Sequence, residues 1–146
     1  MTVYPIQQTE GYPTRFQYGV VAGSRTLTGS ADAISNAPGN PNYLVSGNWW
    51  ISSPGVDAIT LIAPVSGGGF GGASGGVFPA LNGQDDFILH FVSTTAHAHT
   101  ITTPANAING SLHIATFGAA VANNISFISK SGVWYVLGTP VGVTLS

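Results

Sequence analysis

Cysteine is absent from this chain of 146 residues. Disulfides, thiol catalysis and thiolate–metal sites are therefore excluded. A chain of this length corresponds to about one domain. It can bury enough apolar surface to fold without a covalent or metal cross-link.

Charged side chains are also scarce, with 3 lysines and arginines and 5 acidic residues, or 5% of the chain. Ordinary soluble domains carry about 25%. Three cations cannot neutralise many phosphates, which excludes a nucleic-acid partner. Few carboxylates remain for hydrolytic sites, so we expect no enzyme and no cofactor. So little charge favours a surface that contacts copies of the chain or a larger assembly, although a neutral surface rich in Ser, Thr and Asn is the alternative.

Leader and membrane-spanning patterns are missing as well. Residues 1–8 lack the basic and apolar regions of a signal peptide. The longest apolar runs, such as residues 58–65, fall far short of the roughly 20 residues that cross a bilayer. We therefore expect synthesis in a cytoplasm and no membrane partner.

The pattern that is present is one of short β-type runs separated by turn residues, with 20 glycines and 9 prolines in the chain. No segment sustains a helical period, although residues 115–122 could form one short helical turn. The strand candidates are residues 17–22, 25–28, 43–46, 49–52, 58–62, 86–92, 99–102, 112–117, 124–129, 133–137 and 141–145. This spacing predicts an all-β domain over residues 17–146, built as a β-sandwich or a jelly roll.

Two turns are predicted to close hairpins. Gly47-Asn48 separates two strand candidates and fits a type II′ turn, and Lys130-Ser131-Gly132 ends in glycine. Phe127 and Trp134 can then face each other across the second hairpin. Alternating positions in the strongest candidates predict the core, which comprises Ile59, Leu61, Phe87, Leu89, Phe91, Phe127, Trp134 and Val136.

Two segments do not fit the strand pattern. Residues 1–16 contain three aromatics and two prolines, which is typical of an extended arm lying on a partner or of a frayed terminus. The composition of residues 66–76 predicts a long glycine-rich loop inserted between two core strands. The loop runs into Val77-Phe78-Pro79 without the Lys-Ser/Thr pair and the helix that a phosphate-binding loop requires.

Three histidines are candidates for a weak metal site. If Thr94-Thr95 formed a hairpin loop, His90 would lie opposite His99, with His97 on the same face. Three imidazoles on one patch could hold a divalent metal. The alternative is structural, with His99 donating to a strand carbonyl and the other two histidines on a polar face.

Two aromatic pairs, Trp49-Trp50 and Trp134-Tyr135, must direct their members to opposite faces of a strand. One member of each pair is expected in the core and the other at an interface. Sugar stacking is the alternative, but sugar sites usually add several polar and charged hydrogen-bonding groups, and charge is scarce here. The interface candidates are Tyr4, Tyr12, Phe16, Trp49, Trp50 and Tyr135.

Asp85 and Asp86 are the adjacent carboxylates in the chain. In a strand they would point apart, which suits neither a shared proton nor a glycosidase pair. Before a strand, such residues more often end a turn. Residues 72–76 match the pattern Gly-x-Ser-x-Gly, but the glycine-rich loop runs on into Val77-Phe78-Pro79 without the helix that follows the serine in a nucleophile elbow. We therefore expect no catalytic residue.

The second half of the chain contains an ordered set of segments. They are Ala58-Ile59-Thr60-Leu61-Ile62-Ala63-Pro64, residues 87–101, Ile114-Ala115-Thr116-Phe117-Gly118, Gly132-Val133-Trp134-Tyr135-Val136 and Val141-Gly142-Val143-Thr144-Leu145. In this order they resemble small tailed-phage structural proteins that decorate capsids, also called cement proteins. The resemblance implies a β-rich homotrimer on the outside of a virion capsid, bound to the major capsid protein and without catalytic residues. The glycine loop departs from the shorter Asp/Gly-rich turn of that group.

Two other classes remain open. One is a phage fibre or receptor-binding module that recognises glycans through exposed aromatics. The other is a subunit of an extracellular filament or surface layer, in which open-ended contacts between copies replace a closed trimer.

Overall fold

The computed structural model describes residues 23–37, 39–67 and 83–146. These residues form ten strands and no helix, which confirms the predicted all-β class. No helix in this part of the chain is long and apolar enough to cross a membrane. The strands are β1 (Gly23–Leu27), β2 (Ala33–Ile34), β3 (Gly47–Ile51), β4 (Ala58–Leu61), β5 (Ile88–Ser93), β6 (Thr100–Thr102), β7 (Ile114–Phe117), β8 (Asn124–Lys130), β9 (Val133–Val136) and β10 (Val143–Leu145).

The strands form two five-stranded sheets, which we call sheet A (β1-β3-β5-β8-β9) and sheet B (β10-β7-β6-β4-β2). From β1 to β6 the chain alternates between the two sheets. Within sheet A, β1, β3 and β5 are parallel, and within sheet B, β2, β4 and β6 are parallel. The chain therefore makes three stacked coils, each of which contributes one strand to each sheet.

The remaining four strands are antiparallel to their neighbours. β8 and β9 extend sheet A beside β5, and β7 and β10 extend sheet B beside β6. The predicted sandwich is thus built from mixed sheets, whereas a jelly roll is an antiparallel architecture. Parallel pairing is possible because each coil returns to its starting sheet only after passing through the other one.

The core lies between the two sheets and contains a row of aromatic rings. The ring centroids of Trp49 and Phe91 are 6.0 Å apart, those of Phe91 and Phe127 are 6.1 Å apart, and those of Phe127 and Trp134 are 6.4 Å apart. Six of the eight predicted core residues are fully buried, and Phe87 and Val136 are partly buried against them. Each fully buried large side chain contributes about 1.5–3 kcal/mol.

The two predicted hairpins have different outcomes. Ser131 and Gly132 form the two-residue loop between β8 and β9, with φ angles of 50° and 83°, as in a type I′ turn. Gly47 and Asn48, in contrast, are the first residues of β3, whose partners β1 and β5 are both parallel to it. The predicted turn there is wrong because the chain crosses to the other sheet before and after β3.

Other predictions around these strands are also refined. Phe127 and Trp134 are diagonal neighbours, because the direct partner of Phe127 is Val136. Residues 115–122 contain the end of β7 and a turn in place of a helical turn. The arm, residues 1–16, and the strand candidate at 17–22 lie outside the described residues, as does most of the glycine-rich loop, which falls between β4 and β5.

Candidate functional site

The side of sheet A that faces away from sheet B is the first candidate site. Side chains alternate along each strand, so the residues that flank each core residue point outward, in register across the five strands. We call this set the outer face of sheet A. It comprises Ser24, Thr26, Asn48, Trp50, Ile88, His90, Val92, Asn124, Ser126, Ile128, Lys130, Val133 and Tyr135.

Ile88, Ile128 and Tyr135 are direct neighbours across β5, β8 and β9, and we call them the apolar row. Ile88 and Tyr135 are each 43% exposed. Leu137 is 47% exposed and follows β9, where its N–H donates to the carbonyl of Ser126 at 2.8 Å. Single exposed apolar side chains are common on proteins, whereas adjacent ones are typical of docking surfaces.

The outer face carries almost no charge. Lys130 at the end of β8 is its one charged strand residue in the described part of the chain, and its Nζ lies 3.2 Å from Oδ2 of Asp85. The hydrogen bond from the Ser131 N–H lowers the pKa of Asp85 most, and the Lys130 ammonium lowers it further. Beside the apolar row, Nδ1 of His90 is 2.6 Å from Oγ of Ser126. A partner on this face would therefore make apolar and neutral polar contacts.

The aromatic pairs direct their members to opposite faces, as predicted. Trp49 and Trp134 are fully buried in the core, whereas Trp50 is half-buried on the outer face and Tyr135 is exposed there. This corrects the assignment of Trp49 as an interface candidate, because its ring packs on Phe91 inside the sandwich. The indole N–H of Trp50 donates to Oγ of Ser24 at 3.0 Å. Tyr4, Tyr12 and Phe16 lie outside the described residues.

The predicted hairpin at Thr94-Thr95 is wrong, because β5 belongs to sheet A and β6 to sheet B. His90 consequently pairs with Asn48 and Ser126 and does not lie opposite His99. The rings of His97 and His99 are 6.0 Å apart. Across residues 23–37, 39–67 and 83–146, no three His, Asp or Glu side chains gather in a group that could hold a metal.

A second, buried polar cluster lies where each coil passes from sheet A to sheet B. We call these segments the first, second and third crossings, residues 28–32, 52–57 and 94–99. Oδ1 of the fully buried Asp57 accepts from the Asp32 N–H at 3.1 Å, and its Oδ2 has no hydrogen-bond partner. The Asp57 N–H donates to Nδ1 of His99 at 3.1 Å. The cluster therefore joins all three coils.

Burial dominates the electrostatics of this cluster. Burial, as the largest cause, and the neighbouring Asp32 carboxyl together raise the pKa of Asp57 to about 6, against the opposing effect of the Asp32 N–H. Burial also lowers the pKa of His99, with His97 as a second cause. Nδ1 of His99 is an acceptor, so its proton lies on Nε2, which is 3.0 Å from Oγ1 of Thr95. This corrects the expectation that His99 donates to a strand carbonyl.

Sequence reasoning assigned no role to Asp57 or Asp32. A signal was nevertheless present, because Asp32-Ala33-Ile34 and Asp57-Ala58-Ile59 are the same tripeptide, each leading into a strand of sheet B. Asp85 and Asp86 form the turn before β5. The strand begins at Ile88, so the strand candidate at 86–92 began two residues too early.

A depression on sheet B is lined by Thr60, Leu61, Ile62, Thr102, Thr103 and Pro104. It therefore brings no titratable side chain together with the threonine hydroxyls.

A scan against protein-family models, a search of curated proteins and a search of solved structures found no match for this chain.

Proposed function

We propose that this chain is a non-enzymatic structural protein of a virion, a homotrimer that decorates the outside of a tailed-phage capsid and stabilises the head. The apolar row on the nearly uncharged outer face of sheet A carries the proposal. The resemblance of residues 58–146 to capsid decoration proteins supports it. The major capsid protein is then the partner of the trimer.

The outer face of a sheet suits this role because another sheet can pack on it at about 10 Å. Each contact of Ile88 or Tyr135 with a partner would be modest. In a trimer, one bound subunit holds the other two near their sites, so their effective concentration rises and the complex persists. Since Lys130 already pairs with Asp85, ion pairs contribute little to such binding.

The mass of the purified chain is the first test. A trimer of the 14.9 kDa chain has a mass of about 45 kDa by light scattering. An open-ended series of masses would favour the filament or surface-layer alternative, and a monomer at all concentrations would contradict the homotrimer.

The second test is retention on undecorated capsids. Ile88→Thr and Tyr135→Thr should each reduce retention at least tenfold if a contact of about 1.4 kcal/mol is lost. Val121→Thr is the matched control, because Val121 is 59% exposed and lies in the turn after β7. Equal retention of all four proteins would remove the apolar row from the proposed interface.

A glycan-binding fibre module is the second candidate, since Trp50 and Tyr135 share the outer face of sheet A. Binding of the wild-type chain to a glycan array, lost in Trp50→Ala, together with no binding to capsids, would favour this candidate over decoration.

A further inference from the structure

The carboxyl groups of Asp32 and Asp57 lie together between the first two coils, but they have unequal surroundings. Asp32 is half-buried, and its carboxylate accepts from the Gly29 N–H at 2.9 Å and from Nδ2 of Asn42 at 3.2 Å. Asp57 is fully buried and accepts one hydrogen bond, on Oδ1, while Oδ2 has no partner. Negative charge is thus better supported on Asp32, and a proton belongs on Asp57.

We propose that Asp57 carries a proton that it shares with Asp32, and that this proton makes the pair a pH-sensitive clasp between the first and second coils. The protonated Oδ2 donates to the Asp32 carboxylate and so satisfies the one atom of the pair that lacks a partner. When this proton passes to solvent base, two carboxylates face each other in a buried site. Both desolvation and charge repulsion then oppose the contact between the coils.

The other titratable groups at the crossings leave this pair uncompensated. His99 faces Asp57 from the third crossing, but its Nδ1 accepts from the Asp57 N–H and burial lowers the pKa of the imidazole, which opposes a positive charge there, and His97 lies beyond it. Among the described residues, the salt bridge is between Lys130 and Asp85, and none involves Asp32 or Asp57. Two carboxylates without a third ligand also make a poor cation site.

The sign of the pH effect follows from the direction of the shift. The pKa of Asp57 is raised from 3.8 to about 6 in the folded chain, so its contribution to stability is complete below 3.8 and is lost as pH rises to about 6. Over that window the folding constant falls by up to tenfold per pH unit through this group. His99 has the opposite slope, because its pKa is lowered. The effect of Asp57 must therefore be read as a ratio between the wild type and a variant.

The experiment measures chemical denaturation of the full chain from about pH 4 to about pH 7, for the wild type, Asp57→Asn and Asp86→Asn. The ratio of the folding constants of wild type and Asp57→Asn should fall by roughly 30-fold between about pH 4 and about pH 6. Asp86→Asn is the matched control, since Asp86 is exposed at a φ of 67° that asparagine also adopts. If the ratio of these folding constants does not change with pH, the proposed proton-dependent contact is wrong.

Two further measurements decide the case if Asp57→Asn fails to fold. The carboxyl carbon of Asp57, followed by NMR in the wild type, should titrate near pH 6, and a midpoint near its ordinary 3.8 overturns the proposal. In Asp32→Asn the same midpoint should move down but stay above 3.8, because burial remains. Calcium chloride is a third arm, and if it stabilises the wild type at neutral pH but not Asp32→Asn, the pair is a cation site and the shared proton is wrong.

Discussion

The main-chain N–H of Asp57 and Nδ1 of His99 are joined by a buried hydrogen bond of 3.1 Å. The bond runs from the second crossing to the third and selects one tautomer of the imidazole. It therefore gives the most buried histidine of the third crossing a structural role, as the acceptor that satisfies a main-chain donor inside the sandwich.

Replacing His99 should separate its acceptor function from its bulk. His99→Leu leaves the Asp57 N–H without a partner, which costs about 1–3 kcal/mol. His99→Asn places an oxygen near the position of Nδ1 and should cost less. Urea denaturation at neutral pH measures both, with His97→Asn as the control at the neighbouring half-buried histidine. If His99→Leu were as stable as His99→Asn, the hydrogen bond would contribute nothing.

The acid side of the stability profile should also depend on His99. Burial lowers the pKa of this imidazole, so its contribution to stability is present above the ordinary value of 6.5 and is lost as pH falls through the lowered value. We expect the wild type to lose stability below about pH 6.5 relative to His99→Asn. An unchanged difference between the two proteins from about pH 7 to about pH 4 would contradict this assignment.

Among the core residues of the edge strands, Trp134 should be the one whose substitution lowers the free energy of unfolding most. It is fully buried, its ring contacts that of Phe127, and its indole N–H donates to the carbonyl of Ile62 at 2.9 Å. Trp134→Ala should cost about 3–5 kcal/mol. Trp134→Phe, which leaves the Ile62 carbonyl without this donor, should cost about 1–3 kcal/mol. Chemical denaturation measures both changes, and Trp50→Phe on the half-buried outer face should cost far less.

The β8–β9 turn offers a local test. Ser131 and Gly132 both have positive φ. A type I′ turn with this conformation favours asparagine at its first central position and glycine at its second. Ser131→Asn should keep or slightly raise stability, while Gly132→Ala should cost about 1 kcal/mol. Gly55→Ala is the control, because a Cβ at Gly55 meets no atom within 4 Å and needs no positive φ. Equal effects of the two glycine substitutions, measured by thermal unfolding, would argue against a conformational cause.

Local patterns predicted the faces of the strands better than their partners. The alternation through Leu89 and Phe91 identified the buried face of β5, and glycine identified the β8–β9 turn. The strand partners were not identified in this way: Gly47 pairs in sheet A with Gly23 on one side and with Leu89 on the other. Such distant parallel partners leave no short-range signal, which explains why Gly47-Asn48 and Thr94-Thr95 were predicted as hairpin loops.

A longer-range signal was available in the recurring tetrapeptides before and within the strands of sheet B. They are Asp32-Ala33-Ile34-Ser35, Asp57-Ala58-Ile59-Thr60 and His99-Thr100-Ile101-Thr102. Repeated segments of this kind indicate stacked coils. The register pairs Ala58 with Thr100 in step with the repeat, but pairs Ala33 with Thr60, two residues out of step. A shift of two keeps side chains on the same face.

The proposed decoration role makes a specific prediction for residues 1–16, which lie outside the described residues. Their three aromatics and two prolines suit an extended segment that lies on a neighbouring subunit. The core and both sheets of the described part are complete without them. A chain that lacks residues 1–16 should therefore still give a β-sheet circular dichroism spectrum, but should be retained poorly on undecorated capsids.

The salt dependence of retention distinguishes apolar from ionic contacts between the chain and the capsid. Full-length and truncated chains are mixed with capsids at low salt and at about 0.5 M salt, where exposed charges are largely screened. Because the outer face of sheet A has Lys130 as its one charged strand residue in the described part, already paired with Asp85, we expect the full-length chain to be retained at both salt concentrations. Equal retention of both chains would remove the arm from the mechanism. Release of the full-length chain by salt would instead mean that its few charged residues dominate binding, because apolar contacts persist under that screening.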